Sequence, residues 1–106
     1  MPNSGVPHLD DQNFQQVAMS QASLIVDFYG EHCGPCKQIA PLIAELSRKS
    51  AGKFGVAKVD VAHAPNTVRA LGVQSTPTLI IFENGREAAR FVGANNILFK
   101  LKPLLK

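Results

Sequence analysis

The chain contains no tryptophan, so no indole signal reports on any reaction it undergoes. Cysteine is scarce too: two in 106 residues cannot build the disulfide framework of a small stapled domain. Long apolar runs are missing. The runs around Leu24 to Val26 and Thr78 to Phe82 fall far below the roughly 20 residues that span a bilayer, so no membrane segment is expected. The N-terminal stretch holds Asp10, Asp11 and many amides in place of a basic start and an apolar core, so no signal peptide is read there. The net charge of +3 is spread over eleven Lys and Arg set singly or in loose pairs. That scatter lacks the basic stripe of a nucleic-acid binder.

What is present is enough apolar material to collapse. With 45% hydrophobic and 18% charged residues, disorder and fibrous architectures are excluded. The length predicts one domain over residues 1–106. We place it in the cytoplasm, where two close cysteines point to metal binding or redox chemistry and not to a structural staple.

Asp10 is placed to cap a helix whose inward positions are Phe14, Val17 and Ala18. Leu24 to Tyr29 is a β-rich run apolar on both faces, as in the middle of a sheet. Asp27 is the anomaly, an acid on the same face as Ile25 and Tyr29. After the turn Gly30 to Pro35, residues Cys36, Ile39, Ala40, Ile43 and Leu46 recur at helical spacing, with Pro41 expected to bend the helix. Phe54 to Val59 is a second strand, and strand, helix, strand implies a right-handed crossover between parallel strands. Pro65 opens a short helix with Val68 and Leu71 inward, and Gly72 stops it. Thr78 to Phe82 and Glu87 to Val92 form an antiparallel hairpin about Asn84-Gly85. Ile97, Leu98, Leu101, Leu104 and Leu105 have the spacing of a last helix whose end Pro103 disrupts or bends. The expected fold class is α/β, a mixed sheet with helices packed on it.

Cys33-Gly34-Pro35-Cys36 carries the chemistry. Two cysteines three apart at a helix start lie near the Cα separation a disulfide needs, so the pair can open and close. Cys33 sits at the helix N-terminus, where unpaired N–H groups and the macrodipole lower a thiol pKa, which makes it the attacking thiolate. Cys36, one turn inside and on the apolar stripe, suits a resolving thiol. Pro35 stiffens the loop, and Gly34 permits close approach of a substrate backbone. Two inert cysteines and a zinc site are the alternatives, the latter short of ligands with only His8, His32 and His63 to draw on. Haem attachment fails because Lys37, not histidine, follows the second cysteine. Asp27 is either a hydrogen-bonded structural acid or a carboxyl whose pKa burial raises until it exchanges the Cys36 proton. Lys58, on the neighbouring strand, is expected to pair with Asp27 and tune it, the alternative being an ordinary solvated lysine.

Val26-Asp27-Phe28, Cys33-Gly34-Pro35-Cys36-Lys37, Ala40-Pro41, Val56 to Asp60, Thr76-Pro77-Thr78, Phe82 to Gly85 and Val92-Gly93-Ala94 resemble, in order, the landmarks of the thioredoxin family. The resemblance implies the thioredoxin fold, a central five-stranded mixed sheet flanked by four helices. It implies a cis peptide between Thr76 and Pro77 beside the cysteines, with Thr76, Pro77, Val92, Gly93 and Ala94 lining a substrate groove. It also implies a flavin-dependent thioredoxin reductase as partner. Two departures alter that groove: the family usually has Trp before the first cysteine and two residues after the strand aspartate, where this chain has His32 and Tyr29. A charged His32 would stabilise the adjacent Cys33 thiolate; otherwise it is a surface histidine.

The function expected is protein-disulfide reduction by a monomeric thiol-disulfide oxidoreductase. Cys33 attacks, Cys36 resolves and Asp27 takes the Cys36 proton, with no cofactor beyond the two sulfurs. The rivals are a specialised redox donor, a disulfide oxidant or isomerase, and a protein-binding module that uses the groove alone.

Overall fold

Five consecutive residues, Leu24 to Phe28, are buried in the strand β2 (Ser23–Tyr29), and this burial on both faces places it at the centre of the sheet. The computed structural model describes residues 6–105. Its other strands are β1 (His8–Leu9), β3 (Gly55–Asp60), β4 (Thr78–Glu83) and β5 (Arg86–Val92). The sheet order is β1-β3-β2-β4-β5. β2 pairs parallel with β3 and antiparallel with β4, so the sheet is mixed. The helices are α1 (Phe14–Ser20), α2 (Gly34–Lys49), α3 (Pro65–Leu71) and α4 (Ala94–Leu104), with a 3-10 turn at Val61–His63. Strand β2, helix α2 and strand β3 form the expected parallel crossover unit.

Side-chain alternation divides the sheet into two cores. On one face Leu24, Val26, Phe28, Ala57, Val59 and Ile80 pack with Phe14 and Ala18 of α1, and the Phe14 ring meets Phe82 edge-on at 5.5 Å. On the other, Ile25, Val56 and Leu79 pack with Ile39, Ile43 and Leu46 of α2 and with Ile97 and Leu101 of α4. Each of these large side chains removed from water contributes about 1.5–3 kcal/mol before the entropy of ordering is set against it. Val17, Val68 and Leu71 are only partly buried at the margin of the first core.

Several expectations change in detail. Asp10 does not cap α1: the N-cap is Asn13, whose side chain makes no capping bond into the helix and accepts from the Asp10 amide at 2.8 Å. The Asp10 carboxylate instead accepts from the amides of Gln12 and Asn13 at 2.9 and 3.2 Å, closing a turn one step earlier. The neighbouring Asp11 reaches across the chain and accepts from the amides of Asn66 and Thr67 and from the Thr67 hydroxyl, which satisfies the first turn of α3. Pro41 stands inside α2, where the sequence places it. α4 starts at Ala94, three residues ahead of the apolar positions that begin at Ile97. Pro103 is carried inside α4, one residue before its end, where little helix follows for its ring and missing N–H to disrupt. Strand β1 escaped the sequence pattern because two residues are too short to show a period.

At Asn84 and Gly85 the backbone takes φ of 53° and 83°, the two left-handed positions of the tight turn joining β4 and β5. Helix α3 ends on Gly72 in the left-handed region at φ 69°.

Candidate active site

β2 ends at Tyr29, and the chain turns through Gly30, Glu31 and His32 into α2. Cys33 is the N-cap of that helix and Pro35 lies in its first turn. The Cys33 sulfur accepts from the amide of Cys36 at 3.1 Å. The group expected as nucleophile therefore occupies the one position where an orphan helix N–H already points at sulfur. Cys33 and Cys36 are joined as a disulfide with Cα atoms 5.3 Å apart. Cys33 is half-buried, while Cys36 is 4% exposed and shares α2's inward stripe with Ile39 and Ile43. Gly34, Pro35 and His32 are exposed on the loop.

Asp27 is 1% exposed. By alternation it shares a sheet face with Ile25, whose core partners are Ile39 and Ile43 of α2. Since α2 runs back along β2, the step from Ile25 to Asp27 approaches the α2 start, as does the step from Ile39 to Cys36. Asp27 thus lies under the cysteine end of the helix. Neither of its oxygens has a protein hydrogen-bond partner among the described residues. Burial pushes its pKa up from 3.8 to about 6, against a weaker downward pull from Lys58.

Lys58 is the register partner of Asp27 on β3, but the expected ion pair is not formed. Its ammonium lies over the Tyr29 ring, 4.8 Å from the centroid. The lysine stem is long enough for either position, and the aromatic face holds the cation here. Lys58 acts on Asp27 only through its field.

The bond between Thr76 and Pro77 is cis, as the family resemblance implies. Thr76 is brought to the disulfide: a Cβ added to Gly30 would lie 3.4 Å from Thr76 Oγ1 and 3.7 Å from Cys33 Cβ. The Gly93 amide donates to the Pro77 carbonyl at 2.9 Å, and Val92 pairs in register with Thr78. The resemblance-derived residues Thr76, Pro77, Val92 and Gly93 are therefore contiguous, with Ala94 following in α4. Val92 is 46% exposed at their rim.

Sequence reading did not assign Glu31 and Asp60, on the other side of the disulfide, to the site. A cleft of about 600 Å³ opens beside Cys36, lined by Tyr29, Gly30, Glu31, Cys36, Lys37, Ala40, Lys58, Asp60 and His63. Burial, then the nearby carboxylates of Asp60, Asp27 and Glu31, push the Tyr29 hydroxyl pKa up. A signal existed in the alternation of Lys58 and Asp60 on β3, which puts both on the Asp27 face. Among the described residues no group of three or more His, Cys, Asp or Glu is placed to hold a metal ion. No helix among them is long and apolar enough to cross a membrane.

The family model for thioredoxin matches residues 5–102. A thioredoxin of Alicyclobacillus acidocaldarius is 40% identical over 85 residues, 80% of this chain and 81% of the relative. One of Haemophilus influenzae is 40% identical over 92 residues, 86% of each chain. Among solved structures, Plasmodium falciparum thioredoxin superposes with a TM-score of 0.83 at 32% identity, covering 90% of this chain and 93% of that one.

Proposed function

The chain belongs to the thioredoxin family and is a thiol-disulfide oxidoreductase working by dithiol-disulfide exchange; from that premise we propose how its residues divide the reaction. In the reduced protein the Cys33 thiolate attacks one sulfur of a protein disulfide. The substrate S–S bond breaks, a mixed disulfide with Cys33 forms, and the first substrate sulfur leaves as a thiolate that takes a proton from solvent. Cys36 passes its proton to the Asp27 carboxylate and attacks the Cys33 sulfur. The second substrate sulfur leaves as a thiolate that takes a proton from solvent, and the Cys33–Cys36 disulfide closes, two electrons having passed from the dithiol to the substrate. The observation that carries this assignment is the asymmetry of the pair: Cys33 caps the helix with its sulfur on an N–H, while Cys36 is buried in the stripe.

Asp27 suits the proton transfer because a carboxyl held near pH 6 is both ionised and basic at neutral pH, where an ordinary carboxylate is a weaker base. Thr76, Pro77, Val92, Gly93 and Ala94 form the docking groove, with the Thr76 backbone offering strand-like hydrogen bonds to an extended substrate. The family acts on protein disulfides and needs no bound cofactor. We assign the return of electrons to a thioredoxin reductase, and we read the protein as one cytoplasmic domain working as a monomer.

The test is substrate trapping. Cys36→Ser should accumulate a mixed disulfide through Cys33, visible by mass spectrometry, and Cys33→Ser should form none. Trapping through Cys36 in the Cys33→Ser protein at an equal rate would reverse the roles. A double Cys→Ser variant that keeps its biological activity would favour the binding-module rival.

A further inference from the structure

Lys58 stands opposite Asp27 across the β2–β3 pair, and register partners in adjacent parallel strands leave the sheet on one face. A cation on a four-carbon stem beside a buried carboxylate is strongly drawn to it where water is scarce. Contact is nevertheless absent, since both Asp27 oxygens lack a partner. The ammonium is over the Tyr29 ring instead, within the range at which an aromatic face attracts a cation. That ring is braced from β1: His8 is the register partner of Lys58 on its other side, and its imidazole packs on Tyr29 with centroids 5.9 Å apart.

We propose that Tyr29 is a positioning residue for the exchange reaction: its ring holds the Lys58 ammonium over the cleft and off the Asp27 carboxylate, leaving that carboxylate free to accept the Cys36 proton. The inference rests on the reading of Asp27 as the proton acceptor. The titratable groups around this corner are Lys58 and Asp60 on β3, Cys36 and Lys37 on α2, Tyr29 on β2, Glu31 in the loop, His63 on the 3-10 turn and His8 on β1. Among them Lys58 is the cation set directly opposite Asp27, and its field already draws the carboxyl down. Closing that gap to contact would draw the carboxyl further toward the range of an ordinary salt-bridged acid and weaken it as a base.

The experiment follows the Asp27 carboxyl carbon by NMR titration of the full chain in the oxidised form. In Tyr29→Leu the freed ammonium should move onto Asp27, and the midpoint should fall by about one pH unit or more. Tyr29→Phe keeps the aromatic face and should leave the midpoint where it is. Adding Lys58→Met to Tyr29→Leu should abolish the fall. An unmoved midpoint in Tyr29→Leu, an equal fall in Tyr29→Phe, or a fall that survives loss of Lys58 overturns the proposal. Lys58→Met alone keeps the ring and is informative even where Tyr29→Leu does not fold. It should raise the midpoint by less than about one pH unit, the effect of a cation out of contact, and a larger rise shows a paired ammonium and overturns the proposal. These readings are taken on the carboxyl itself. Failure of the acceptor reading shows separately, as a normal resolving rate in Asp27→Asn.

Discussion

The Gly93 amide donates to the Pro77 carbonyl at 2.9 Å, tying the entry to α4 to the residue that begins the approach to β4. Two loops distant in sequence thereby become one wall next to the disulfide. Asn96 extends the tie, its side-chain amide donating to the Val92 carbonyl at 2.7 Å. A substrate chain laid along Thr76 would meet Val92, whose side chain is left 46% exposed at the rim.

Val92→Asp should therefore lower kcat/KM for a protein disulfide about tenfold, by placing a charge where an apolar contact forms. Turnover of a small aromatic disulfide, which needs no groove, should change less than about twofold. Steady-state assays with both substrates check this, and equal losses on the two would remove Val92 from docking.

Asp27 should make stability fall with rising pH. Its folded pKa, about 6, lies above the 3.8 of an ordinary aspartate. Below about pH 3.8 both states hold the proton and the burial penalty is absent; above about pH 6 folding must bury a charge. The difference corresponds to about 3 kcal/mol of lost stability across that window. Urea unfolding of the oxidised protein and of Asp27→Asn should show the variant gaining on the parent by about 2–3 kcal/mol between about pH 4 and about pH 7.5. Parallel pH profiles would contradict the raised pKa.

His32 adjoins Cys33 on an exposed loop, and an imidazolium there favours the thiolate. His32→Trp, followed by thiolate absorbance in the reduced protein, should raise the Cys33 pKa by about half a unit, as expected for loss of an exposed neighbouring charge. An unchanged titration assigns His32 to the surface alone.

Arg90 holds the far edge of the sheet to α3. Its guanidinium donates to the carbonyls of Leu71 and Gly72 at 2.6 and 3.3 Å and to both oxygens of Glu87. These satisfy acceptors left over at the helix C-terminus. Arg90→Met should cost about 1–2 kcal/mol in denaturant unfolding with disulfide exchange intact. A midpoint equal to the parent's would show that solvent replaces the bonds without loss.

The sequence by itself determined the local pieces. The run Leu24 to Phe28, the stripe Cys36, Ile39, Ile43 and Leu46, and the turn Asn84-Gly85 each follow from a period or a backbone requirement carried by adjacent residues. The placing of Cys33 at a helix start and Cys36 inside it belongs to the same class. Only the tertiary structure decided which distant residues meet: Thr76 beside Cys33, Pro77 on Gly93, and the two-residue strand β1 against β3. It decided also that Lys58 rests on Tyr29 and not on Asp27. Strand alternation puts a lysine and an aspartate on one face, but the end of a flexible stem goes to whichever neighbour holds it better, and that competition exists only once the strands lie side by side.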